Sequence, residues 1–282
     1  MKRIFILVLV LSGFCTVAQD ITKPIILVKG QKVTVNNTII SDADMGMGMQ
    51  MKNNMVSTST FNITGENEKE YILTSTLNKA KGSMEFMGNT NEFDSDNAED
   101  KNSEMGKSFL ETVGKPVSIT LNKLTAIPVF EKKEKGTEKD EDNPMSGMME
   151  AFGGSGEDPS VAGAFLQIPG TKKTGDSWTK SDSTKEKKSV TKFTINSISN
   201  NIATISFISS SDVNSQVEMQ GNQIDVSFNT KSKGDIISDI TTSLVSKRVT
   251  ESEVTGTIQL MGQTMPVTAK SNIVSVYTLS GN

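Results

Sequence analysis

Apolar side chains recur at every second position through long stretches of this chain. Between Met45 and Ile63 they occupy odd positions, and towards the C-terminus they occupy even positions up to Leu260 and odd positions from Val267 onwards. Successive side chains of an extended chain point to opposite faces, so this spacing predicts long β-strands with one apolar face. Gly262-Gln263 separates the last two sets and predicts the turn of a long antiparallel hairpin.

Two shorter segments and three helical signals complete the secondary-structure prediction. Residues 71–77 and 202–208 are more continuously apolar, which is typical of strands that are covered on both faces. Short helices are predicted to begin at Ser103, Pro144 and Pro159, where capping residues or prolines precede apolar residues at helical spacing. The charged run 131–142 has no apolar period and is predicted to be a solvated loop.

The two halves of the chain share an order of short motifs. Phe61-Asn-Ile63 precedes Met84-Glu-Phe-Met-Gly-Asn by 23 residues, and Phe193-Thr-Ile195 precedes Val217-Glu-Met-Gln-Gly-Asn by 24 residues. A matching order at a matching spacing predicts a duplicated β-unit. We therefore predict a mainly β protein with two duplicated antiparallel β halves, built as curved sheets or half-barrels, and a few short helices in the connector.

The predicted boundaries follow from these signals. Residues 1–18 form a signal peptide, 19–130 the N-terminal β half, 131–173 a charged and Gly-rich connector with short helices, and 174–282 the C-terminal β half. The pattern leaves open whether the halves are separate domains or share one core.

The N-terminus predicts export. A basic start at Lys2-Arg3 precedes the apolar run 4–11 and the small-residue cleavage site at Ala18, so the mature chain is expected to begin at Gln19. The run is shorter than the ~20 apolar residues that span a bilayer, and no transmembrane segment is predicted in the mature chain. Phe14 precedes Cys15 where a lipobox has a small residue, so we predict a periplasmic or extracellular protein without a lipid anchor.

The residues that remain after cleavage restrict the chemistry. The chain has no histidine, and its one cysteine, Cys15, leaves with the signal peptide. Ser-His-Asp triads, thiol nucleophiles and Cys/His zinc sites are therefore excluded. The mature chain carries 27 basic and 33 acidic residues, a balance that argues against nucleic acid as a partner. We predict a protein that is not an enzyme and has no cofactor, with unknown protein partners.

Three short motifs resemble those of a known family. They are Phe165-Leu-Gln-Ile-Pro169, Gly175-Asp-Ser-Trp178 and Phe93-Asp-Ser95. Together they resemble an uncharacterised family of exported bacterial proteins, which implies a β-rich half on either side of a central segment. This family has no established activity, so the resemblance implies no catalytic residue. The charged run 131–142 and Thr171-Lys-Lys-Thr174 depart from the family pattern.

We predict a non-catalytic exported protein that binds a hydrophobic small molecule or lipid within a curved sheet. The candidate ligand-binding residues are large apolar side chains near the centre of the chain: Trp178, Met148, Met149, Phe152 and Phe165. For Trp178 the alternative is a packing anchor at the start of a strand, after a turn formed by Gly-Asp-Ser. For the central helices the alternative is that they fill the sheet permanently, which would leave no ligand site.

A methionine cluster supplies the alternative function. Thioethers select copper(I), and four of them recur at every second position: Met45, Met47, Met49 and Met51. A copper site requires exposed side chains at Met47, Met49 and Met51, whereas ordinary strand packing requires them to be buried.

Overall fold

The computed structural model describes residues 24–46, 48–102, 112–130, 159–170, 172–219, 222–260 and 262–281. The chain there is almost entirely β-strand. In the first half the strands are β1 (Lys32–Asp44), β2 (Gln50–Glu66), β3 (Glu70–Phe86), β4 (Asn89–Asp94), β5 (Pro116–Asn122) and β6 (Pro128–Phe130). In the second half they are β7 (Ser177–Ser183), β8 (Lys187–Ser199), β9 (Ile202–Met219), β10 (Asn222–Asp239), β11 (Val245–Leu260) and β12 (Gln263–Ser280).

All twelve strands belong to one open antiparallel sheet. Its order is β6-β5-β3-β2-β1-β12-β11-β10-β9-β8-β7, and β4 pairs with the distal part of β3. The two terminal strands of the chain lie in the middle of the sheet, where β1 pairs with β12 from Lys32↔Ser280 to Asp44↔Thr268. This pairing makes the two halves one continuous sheet. The predicted duplication and the predicted domain boundaries stay predictions.

Alternating burial divides the sheet into two faces. Along β1 the residues Val33, Val35 and Asn37 are buried, whereas Lys32 and Asn36 between them are exposed. We call the face that carries the buried set the inner face, and the opposite face the outer face. The same alternation runs through every long strand, because each residue turns its side chain away from that of its neighbour.

The main core lies on the inner face at one end of the sheet and draws on both halves of the chain. Val33 and Leu73 of the first half and Ile195 and Ile236 of the second half belong to one buried cluster. A short segment that begins with α2 (Pro159–Ala162) packs on this cluster and is fixed to β11 by backbone bonds. The amide of Leu166 donates to Ser243, and that of Val245 donates to Ala164, at 2.9 and 2.8 Å.

Several expectations from the sequence are confirmed in part and corrected in part. The mainly β fold and the hairpin of β11 and β12 are confirmed, with Leu260 opposite Gln263 across a turn in which Gly262 has a φ of 77°. Residues 71–77 and 202–208 are not covered on both faces: they lie within the long strands β3 and β9, and Ile72 and Ile208 are exposed. Their apolar runs are continuous because the outer face also carries apolar side chains.

The helices are shorter than predicted. The helix that begins at Pro159 ends at Ala162, because the chain then pairs with the strand region at Phe165↔Leu244. A five-residue helix, α1 (Ala98–Asn102), precedes the predicted start at Ser103. Val113, which the helix predicted from Ser103 would include, forms an isolated β-bridge with Leu77. Four predicted segments lie outside the described residues. They are residues 103–111 of the helix predicted from Ser103, the helix predicted from Pro144, the charged run 131–142 and the signal peptide.

Candidate functional site

The Gly-Asp-Ser-Trp segment forms a turn followed by the first residues of β7. Gly175 has a φ of 90°, and the Oδ2 atom of Asp176 accepts a bond from the amide of Lys173 at 2.9 Å. Trp178 then turns onto the inner face, where it is 9% exposed and stacks on Phe193 with ring centroids 5.0 Å apart. The next ring in the row is Phe207, 6.2 Å from Phe193. We call these three rings the aromatic row.

The other predicted ligand residues fall in the core or outside the described part of the chain. Phe165 is 5% exposed and packs against Phe61 at 6.0 Å, so its ring is part of the main core. Met148, Met149 and Phe152 lie outside the described residues. The structure therefore brings Trp178 and Phe165 into one apolar cluster, in which neighbouring side chains occupy the space around them.

The methionine cluster lies at a turn rather than along one strand. The amide of Met45 donates to Met49, and Gly46 and Gly48 adopt φ values of 73° and 79°, so the chain reverses between β1 and β2. Met45 is 3% exposed in a second apolar cluster with Val267, and Met49 and Met51 pack against that cluster. Met47 lies outside the described residues. Copper(I) binding through these thioethers stays a prediction.

A cavity that the sequence did not predict lies on the outer face. It has a volume of about 850 Å³ and crosses the middle of six neighbouring strands, β8, β9, β10, β11, β12 and β1. Two rows of paired residues border it. The first row is Lys192, Ile208, Lys233, Glu251, Asn272 and Ile40. The second row is Val190, Ser210, Lys231, Glu253, Lys270 and Asp42. We call this cavity the outer groove.

The outer groove combines exposed apolar side chains with paired charges. Ile208, Ile40 and Val190 are 62%, 55% and 50% exposed. Lys233 forms an ion pair with Glu251 at 3.1 Å, and Lys270 forms one with Glu253 at 3.6 Å. The long lysine side chains place methylene groups along the groove and ammonium groups at its rim. Five spacings of ~4.8 Å between strands make the groove ~24 Å long along the sheet.

The sequence contains a signal for this groove, although the alternation of apolar residues alone does not identify it. Residues on the outer face of an antiparallel sheet are usually polar, so an isoleucine or valine among lysines at the polar phase of a strand is an anomaly. Ile40, Val190 and Ile208 each occupy that phase. Their convergence depends on which strands are neighbours and in which register, and this information is absent from any single strand.

Two general observations concern metals and membranes. Within the described ranges, no three acidic side chains approach closely enough to hold a metal ion. No helix in the same part of the chain has the length and hydropathy to cross a membrane.

The chain belongs to a family of unknown function, DUF6263, whose model matches residues 68–245. The matched segment runs from the start of β3 to the start of β11, and so includes both edges of the sheet but not its two central strands. No curated protein has a matching sequence.

Two solved structures are similar to this chain at very low sequence identity. A lipovitellin structure, described by its title as concerning lipid–protein interactions, is 7% identical with a TM-score of 0.52. The similarity covers 90% of this chain but only 26% of the lipovitellin chain. An outer membrane channel, COG4313 from Pseudomonas putida F1, is 6% identical over 90% of this chain and 97% of its own, with a TM-score of 0.35.

Proposed function

We propose that this family member is an exported, non-catalytic protein that binds a hydrophobic or amphipathic ligand on its sheet. The observation that carries the proposal is the outer groove, where Ile40, Val190 and Ile208 are exposed along a cavity of about 850 Å³. Ligand pockets typically measure ~300–1,000 Å³ and combine apolar walls with a few polar groups. The apolar side chains and lysine methylenes offer a long ligand a surface to cover, and the ammonium groups at the rim suit a polar end.

Four further considerations support the proposal. Covering apolar surface is favourable by ~25 cal/mol per Å², so a ligand that shields three aliphatic side chains gains affinity from the sheet alone. The N-terminal pattern of Lys2-Arg3, an apolar run and Ala18 supports export. The lack of histidine and of cysteine beyond Cys15 supports a non-catalytic role. The likeness to lipovitellin adds an analogy at the level of fold.

Ligand binding is tested with a pair of variants on the outer face. Ile40→Thr with Ile208→Thr keeps β-branched side chains but removes apolar surface from the groove, whereas Val56→Thr removes an exposed valine of the same face outside it. We expect the neutral probe N-phenyl-1-naphthylamine to bind the wild-type protein and Val56→Thr alike, and the double variant about tenfold more weakly. Equal binding by all three proteins would contradict a ligand site in the groove.

The natural ligand and the location are tested on protein purified from the cell that makes it. Native mass spectrometry of the exported fraction is expected to find a chain that begins at Gln19, together with a co-purifying mass of lipid size. A full-length chain confined to the cytoplasm would refute export. A bare mature chain, in a preparation that also fails to bind the neutral probe, would refute the ligand-binding role.

A further inference from the structure

A guanidinium lies on the inner face without a counter-charge. Arg248 of β11 is opposite Ile236 of β10 and Ser275 of β12. Its Cζ atom is 5.9 Å from the centroid of Phe207, at the end of the aromatic row. The Nε atom is buried and has no hydrogen-bond partner, and no carboxylate pairs with Arg248, among the residues that the structure describes. A donor this deeply placed is costly unless a partner satisfies it.

A second cation, Lys180 of β7, lies on the same inner face. Lys180 follows Trp178 by two residues on β7, so both side chains leave the strand on the same face. Burial lowers the pKa of Lys180, and the positive charge of Arg248 lowers it further. Burial also lowers the pKa of Arg248, while Tyr277 acts in the opposite direction. The charge of Arg248 therefore raises the cost of charging Lys180, and no carboxylate of the described chain lies among the groups that act on either cation.

The surroundings offer both polar and apolar contacts to a ligand. The row of the inner face that passes through Lys180 continues with Thr191, Ser209, Ser232 and Ser252 on successive strands. Hydroxyls join Thr191 to Ser209 and Ser232 to Ser252 at 2.8 Å. These four side chains are half-buried, and Lys180 on the edge strand β7 reaches solvent. Lys180 thus stands at the edge of the sheet at the end of a row of hydroxyls, and Trp178 of the aromatic row lies two residues before it on the same face.

We propose that Arg248 and Lys180 bind an oxyanion, a carboxylate or a phosphate, on the inner face beside the aromatic row. The bound group neutralises two neighbouring positive charges and accepts from the buried Nε–H of Arg248. A guanidinium suits both groups because its planar fork matches their oxygen atoms. Arg248 and Lys180 lie on the face of the sheet opposite to the charged and apolar side chains that border the outer groove. The same chemistry is offered by free inorganic phosphate and by the carboxylate head of an amphiphile.

The only tryptophan of the chain reports on the site, because Trp178 belongs to the aromatic row. Its emission is followed while the mature protein is titrated with inorganic phosphate, with decanoate below its micelle concentration, with decanol, and with chloride at matched ionic strength. We expect a saturable change with at least one of the two oxyanions and none with decanol or chloride. Binding of phosphate assigns a site for a small anion, and binding of decanoate alone assigns the head of an amphiphile.

Two methionine substitutions separate the site from general charge effects. Arg248→Met removes the guanidinium, whereas Lys247→Met removes the same charge from the neighbouring, exposed position on the outer face. We expect binding to weaken about 10- to 100-fold in the first variant, the loss of a charged hydrogen bond, and to stay unchanged in the second. Lys180→Met is expected to weaken binding about tenfold.

Three results would overturn the proposal. They are no saturable change with either oxyanion, a change that chloride reproduces, and equal affinity of Arg248→Met and the wild-type protein. Arg248→Lys provides a second measurement if the methionine variant does not fold, because it keeps the charge but loses Nε and the planar fork. We expect it to bind about tenfold more weakly, and equal affinity would again refute the site. The Ile40→Thr/Ile208→Thr variant should bind the oxyanion normally, which separates this site from the outer groove.

Discussion

The two faces of the sheet differ in how their positively charged side chains are paired. On the outer face five charged residues follow one another across five strands in matched register: Lys231, Glu253, Lys270, Asp42 and Lys52. Each of these cations therefore has an acidic neighbour. On the inner face Arg248 and Lys180 have each other as the neighbouring charge. Exposed pairs need little from their geometry because water screens them, whereas a half-buried cation such as Arg248 requires a partner. The comparison sets the paired charges of the outer face apart from the two inner cations, for which we propose an oxyanion as the partner.

The largest expected effect separates the core of the inner face from the outer groove. Phe61→Ala is expected to lower the free energy of unfolding by about 3–5 kcal/mol, because Phe61 is fully buried and packs against Phe165. Ile208→Thr removes a side chain that already faces solvent and should change it by less than about 0.5 kcal/mol. Denaturant unfolding followed by circular dichroism checks both. Similar losses would show that the outer face is covered in solution.

A smaller effect is expected where the inner face has no room for a side chain. A Cβ atom on Gly234 would collide with the carbonyl oxygen of Val249 and lie 2.9 Å from Cε1 of Phe207. Gly234→Ala should therefore destabilise the protein by about 1–3 kcal/mol. At Gly65 the same atom would meet only Ile72 at ordinary contact distances. Gly65→Ala is the matched control, expected to change stability by less than about 0.5 kcal/mol, and equal effects would contradict the close packing of Phe207 over β10.

Removing the inner cation is expected to stabilise the ligand-free protein. Replacing a buried, unpaired charge by an apolar side chain of similar length relieves its desolvation, so Arg248→Met should gain about 1 kcal/mol. Lys247→Met, on the outer face, should lie within about 0.5 kcal/mol of the wild-type protein. Thermal unfolding in chloride buffer without phosphate or carboxylate measures both. A marked loss of stability in Arg248→Met would show that the guanidinium stabilises the fold. That result would contradict the view that Arg248 lacks a stabilising partner in the ligand-free protein.

The smallest effect concerns the outer ion pairs. Lys233 and Glu251 are 3.1 Å apart, but both side chains are more than half exposed. A double-mutant cycle with Lys233→Met and Glu251→Gln is expected to give a coupling energy of about 0.2–1 kcal/mol at low salt, and less at high salt. A coupling that salt does not weaken would mean that the outer groove is closed to water.

The positions of the long strands could be predicted from the sequence, but the residues of the outer groove could not. The alternation of apolar residues predicted β11, β12 and the turn at Gly262, because period two is a local property of the chain. The same reasoning placed Met45, Met49 and Met51 on one strand, although two glycines with positive φ reverse the chain there. It also assigned Trp178 and Phe165 to a ligand site; both are buried in the main core, and the assignment stays a prediction.

Local pattern and chain chemistry thus determined the β-rich class, the amphipathic faces and the exclusion of histidine chemistry. Tertiary structure alone decided that β1 pairs with β12 and that Ile40 and Ile208, 168 positions apart in the chain, border one groove. It also decided that Arg248 and Lys180 lie on the same face of the sheet, where neither forms an ion pair with a carboxylate of the described chain. The physical reason is that burial and charge pairing depend on strand order and register, and these are set by the packing of the whole sheet.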